Sequence, residues 1–134
     1  MHLSGTSIWC DAWRAQDLCF VSAAHRLRQA RHAQIIASQE TLTLLAKQDG
    51  SPVTASQLGV PFGQPFTLGS QRIELFNSGH GLGAASLLVH SDRGRIVYAG
   101  SVNPRGSSLG GAMDQRHCDV LVISGRYGRK SDRF

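Results

Sequence analysis

Residues 73–89 read Ile-Glu-Leu-Phe-Asn-Ser-Gly-His-Gly-Leu-Gly-Ala-Ala-Ser-Leu-Leu-Val. Two short apolar runs flank a glycine-rich turn that carries one histidine, His80. Short apolar runs bounded by turn residues imply strands, and glycines in the turn permit positive φ and close backbone approach. His80 can therefore be aimed into a cleft at a strand end. That position suits a metal ligand, although a histidine in a glycine-rich turn is more often a hydrogen-bonded loop residue.

Working outward from this turn, residues 86–90 and 95–99 flank Ser91-Asp92-Arg93-Gly94, a hairpin signal. Residues 66–68 and 72–76 read as strands around Gly69-Ser70, and the prolines with Gly63 between 61 and 66 mark a loop. Nearer the start, residues 7–13 suggest a short strand with a bend, 18–22 a buried strand, 23–32 a strongly basic helix and 34–37 a further strand. Ser38 is an expected N-cap for a helix over 39–48, with Leu42, Leu45 and Ala46 on one face. Residues 100–111 form a Gly/Ser-rich loop, 119–124 the last strand, and 126–134 a basic tail. Many strands and few helices indicate a sheet-dominated α/β fold.

A chain of 134 residues is expected to make one domain. Lys and Arg number 14 against 9 Asp and Glu, so the formal charge of +5 allows contact with a polyanion. No apolar run reaches the span of a membrane helix and the first residues lack a secretory pattern, so a cytoplasmic protein without membrane contact is expected. Cys10, Cys19 and Cys118 are an odd number with no Cys-x-x-Cys pair, which argues for buried reduced thiols.

Three segments carry a family resemblance. Residues 78–85 (Ser-Gly-His-Gly-Leu-Gly-Ala-Ala), 96–101 (Ile-Val-Tyr-Ala-Gly-Ser) and 118–128 (Cys-Asp-Val-Leu-Val-Ile-Ser-Gly-Arg-Tyr-Gly) resemble, in order and spacing, the metallo-β-lactamase-fold nucleases. The likeness is to the β-CASP branch, with its mRNA 3′-end cleavage enzymes and ligase-associated bacterial exonucleases. Residues 8–22 resemble the lead-in to that family's first metal motif. The resemblance implies part of an αββα sandwich, lacking the cap domain and the C-terminal strands that follow it. An open sheet edge would then be covered by a second copy or another chain.

The same resemblance implies a dinuclear zinc site with the motif His-x-His-x-Asp-His. Its four positions fall on Ala23, His25, Leu27 and Arg28, and the later histidine falls on His80. The bridging aspartate falls on Ser101 and a terminal glutamate on Ser124. Two zinc ions bring four positive charges, whereas here the carboxylates are replaced and a guanidinium stands at a ligand position. Zinc is not expected; a single ion would have only His25 and His80, unless His32, His90, His117 or Cys19 joined them.

Two functions of different class follow from the resemblance. One is a non-catalytic partner or scaffold, associated with itself, with an active nuclease homologue or with another protein of a nucleic-acid-processing complex. The other is a metal-dependent nuclease or hydrolase with a rebuilt or residual zinc site. Nucleic-acid contact through Arg26, Arg28, Arg31, Arg126, Arg129, Lys130 and Arg133 is compatible with the first.

Overall fold

Two sheets face each other across one core. They are seen in a computed structural model, which describes residues 1–24, 32–47, 56–92, 94–106, 108 and 111–123. The first sheet is parallel throughout, in the order β1 (Trp9–Cys10), β2 (Leu18–Phe20), β3 (Gln34–Ser38), β4 (Ser56–Val60). Between β3 and β4 the chain forms helix α1 (Gln39–Ala46). The second sheet runs β5 (Phe66–Leu68), β6 (Gln71–Asn77), β7 (Ala85–Ser91), β8 (Gly94–Tyr98), β9 (Val120–Val122). Its first four strands are antiparallel and β9 joins β8 in parallel.

Period-two alternation sorts the side chains. Phe20 and Ile36 of the first sheet meet Ile73, Leu75, Leu87 and Val89 of the second in the central core. The ring of Tyr98 stands edge-on to Phe20, at 88° with centroids 6.2 Å apart, and so links the two sheets. On the other face of the first sheet Cys19, Ile35 and Ala37 pack against Leu42 and Leu45 of α1. A parallel sheet covered on both faces has no solvent side, which is why β2 and β3 are apolar almost without interruption.

Most expected elements are present. The helix ends at Ala46, and the strand expected over 7–13 shortens to Trp9–Cys10 because Asp11 takes φ 47°, the left-handed region. Strand β4 was not foreseen: Ser-Gln-Leu-Gly-Val shows neither alternation nor a dense apolar run. Its partner β3 recruits it. Cys10 and Cys19 are buried, but Cys118 is half-buried beside Phe76 on the outer face of the second sheet, which corrects the expectation of three buried thiols. The helix expected over 23–32 and the basic tail lie largely outside the described residues. Among the described residues no helix is long and apolar enough to cross a membrane.

Candidate functional site: the cavity at the glycine turn

The turn between β6 and β7 is fastened to the N-terminus of α1. Ser38 caps the helix: its hydroxyl oxygen accepts the Thr41 N–H at 3.1 Å and its proton goes to the Gly83 carbonyl at 2.6 Å. The Thr41 hydroxyl donates to the same carbonyl at 3.0 Å. Both hydroxyls are fully buried, so the carbonyl receives two hydrogen bonds where no water competes. Gly83 has φ 75°, and a Cβ there would lie 2.8 Å from the Glu40 Cβ and 2.9 Å from the Thr41 nitrogen. Only glycine fits this position.

The other side of the turn is tied to the segment after β8. Asn103 N–H donates to the Ser78 carbonyl at 2.9 Å, Gly79 bridges Val102, and the Asn77 side chain accepts the Gly79 N–H at 2.9 Å. The Ser78 hydroxyl is buried with no hydrogen-bond partner among the described residues.

Asp11 organises the same end of the sandwich, and nothing in its sequence context marked it beyond a lone acid between Cys10 and Ala12. Its carboxylate accepts the Ser22 N–H at 2.9 Å, the Ser22 hydroxyl at 2.6 Å and the Tyr98 hydroxyl at 2.8 Å. Ser22 in turn accepts the Ala85 N–H at 2.8 Å, and its side chain lies against Gly100. One carboxylate thus joins β1, the exit of β2 and β8, and charge-assisted bonds of this kind are about twice as strong as neutral ones.

Within this frame His80 is exposed and borders a cavity of about 420 Å³ with Ala23, Ala24, Leu44, Lys47 and Leu82. Ala23 is buried, and Ser101 is half-buried between Gly100, which packs on Ser22, and Val102, which bridges to Gly79. The structure therefore brings Ala23 and His80 together, with Ser101 at the same end of the sheets. His25, Leu27, Arg28 and Ser124 lie outside the described residues, as do Arg26, Arg31, Arg126, Arg129, Lys130 and Arg133.

The four residues offered to complete a mononuclear site do not reach His80. His32 precedes β3 and accepts the Gln16 N–H at 3.1 Å, whereas the turn docks at Ser38, the opposite end of that strand. Burial lowers the His32 pKa. Cys19 lies on the α1 side of the first sheet, where its sulfur is 3.5 Å from the Ala12 nitrogen; burial pushes its thiol up to about 11, and burial raises Cys10 further. His90 is at the far end of β7 from the turn, and His117 precedes Asp119, which bonds to Arg95 at that same far end. Among the described residues no group of three or more His, Cys, Asp or Glu side chains could hold a metal ion. Of the six positions that the resemblance makes relics of a metal site, three are described, and only His80 offers a nitrogen donor; this part of the donor set does not fit two zinc ions.

The fold has solved counterparts. A metallo-β-lactamase of Cronobacter sakazakii with a HARLDQ motif superposes with a TM-score of 0.52 at 24% identity, over 70% of this chain and 42% of that one. The fold is a partial metallo-β-lactamase sandwich. A protein of unknown function from Enterococcus faecalis V583 matches this chain with a TM-score of 0.50 at 19% identity, over 65% of this chain and 25% of that one. In sequence, a protein described as a probable DNA ligase in Opitutus terrae is 29% identical over 132 residues. The match takes in 96% of this chain but only 13% of the ligase's length. No family model matches.

Proposed function

We propose that the chain is a non-catalytic metallo-β-lactamase-like unit, related to the β-CASP nucleases, that serves as a partner or scaffold in a nucleic-acid-processing complex. The observation that carries this is the chemistry beside His80. The Ala23 methyl group, on the same cavity, has no lone pair to offer a metal, and Ser101 replaces the carboxylate that would bridge two ions. The link to nucleic acid draws support from the similarity to a probable DNA ligase.

An exposed edge supports association. In β9 Val120 is 51% exposed and Leu121 57%, and Ile123 just after it is 63% exposed. Among the described residues β9 is the outer strand of its sheet, and an apolar strand so placed is a template for pairing with a further strand. A second copy of this chain or an active nuclease homologue would cover it.

Zinc content and nuclease activity, measured on one preparation, test the proposal. The expected result is well under one zinc per chain and no hydrolysis of single-stranded or duplex nucleic acid. Two equivalents of zinc, with cleavage abolished by His80→Ala, would establish the metal-dependent nuclease instead. Native co-purification should recover a nuclease or ligase subunit with the chain.

A further inference from the structure

We propose that Arg72, His90 and Arg95, on the outer face of the five-stranded sheet, form a phosphate-binding row that holds a nucleic-acid strand. Arg72 lies directly opposite His90, and His90 directly opposite Arg95, so three basic residues cross β6, β7 and β8 in one line. Directly opposed residues in antiparallel strands have Cβ atoms ~5 Å apart. All three border one cavity of about 130 Å³ with Pro65, Glu74 and Leu88.

Among the described residues no carboxylate forms a salt bridge with Arg72, His90 or Arg95. Glu74, the carboxylate at the cavity, is held by the Arg116 guanidinium with Nε–Oε2 at 2.6 Å, and Arg116 is also stacked over Phe76 at 5.3 Å. Asp119 accepts the backbone N–H of Arg95 at 2.8 Å. The Arg72, His90 and Arg95 side chains have no polar partner among the described residues. A concave row supplied with two guanidinium forks is complementary to an anion with several oxygens.

The occupant is a sugar-phosphate backbone. The inter-strand spacing sets the two arginines ~10 Å apart across the row. Long side chains at that separation can meet separate phosphates of one strand, with His90 between them. Base readout is not implied, because Phe76, the aromatic ring on this face, is buried beneath Arg116. This inference rests on the nucleic-acid part of the proposed function and assigns that contact to residues outside the basic tail.

Anisotropy of short fluorescein-labelled single-stranded DNA and RNA, from about 50 to 200 mM salt, tests it. The double variant Arg72→Gln/Arg95→Gln should bind at least about tenfold more weakly, and the slope of log K against log salt should shrink by about 1.4, two phosphates at about 0.7 each. The double lysine variant should keep the slope. Because these side chains make no polar contact with the described fold, the Gln variant should melt no lower than the wild type; a lower melting temperature overturns the proposal. Undiminished binding by the Gln variant overturns it while leaving nucleic-acid contact to other residues. No binding by the wild type, or equal binding of polyglutamate, also overturns it, while the scaffold role is judged separately by zinc content and co-purification.

Discussion

Gly83→Ala should be severely destabilising, and its cost can be worked from the geometry. An L-residue in the left-handed region costs about 1–2 kcal/mol. Gly63 has the same conformation, φ 76° against 75°, but open space around it, so Gly63→Ala isolates that dihedral cost. Reduced freedom of the unfolded chain returns about 0.4–1 kcal/mol at either position, leaving Gly63→Ala near 1 kcal/mol. At Gly83 the new methyl also meets the Glu40 Cβ at 2.8 Å and the Thr41 nitrogen at 2.9 Å. Relief requires the turn to move off α1, which stretches the bonds from Ser38 and Thr41 to the Gly83 carbonyl. Each is worth about 1 kcal/mol, so Gly83→Ala should cost about 3 kcal/mol in total. For a chain of this length that lowers Tm by roughly 10 °C. Urea denaturation of both variants gives the comparison. Equal losses for Gly63→Ala and Gly83→Ala would refute the docking of the turn on the helix cap.

Two further outcomes are expected. Tyr98→Phe removes the hydroxyl that donates to Asp11 at 2.8 Å and should cost about 1.5–2 kcal/mol in urea denaturation; unchanged stability would mean that Ser22 alone holds the carboxylate. Burial lowers the His32 pKa below its ordinary 6.5, so below that value the unfolded chain binds a proton that the folded chain refuses. Stability should therefore be full above pH 6.5 and fall as pH drops below it towards the lowered folded pKa. Protonation at Nδ1 would also break the bond from the Gln16 N–H. His32→Asn should flatten this part of the stability profile, and parallel profiles for the two proteins would remove His32 as its source.

Local chemistry made much of the architecture legible. Ser38 was identifiable as a cap because a hydroxyl before a helical apolar pattern satisfies an otherwise orphaned N–H. Ile73, Leu75 and Phe76, and Leu87, Leu88 and Val89, declare strands because short apolar runs bounded by turn residues fit a strand's length. The glycine turn with His80 was legible because glycines mark where the chain must bend. Strand β4 was not, because its state depends on β3 as partner more than on its own residues.

Which residues meet across the chain was decided only by tertiary structure. Gly83 must be glycine because α1 sits against it, and Asp11 is a clamp because Ser22 and Tyr98 arrive from separate strands. The candidate metal ligands show the same division: residue type marked Ala23 and Ser101 as poor donors, but only packing separated His32, Cys19, His90 and His117 from His80. The basic row needed the register as well. Arg72, His90 and Arg95 are unremarkable in order along the chain, and a shift of one residue in either strand pair would break their line, since neighbouring side chains point to opposite faces of the sheet.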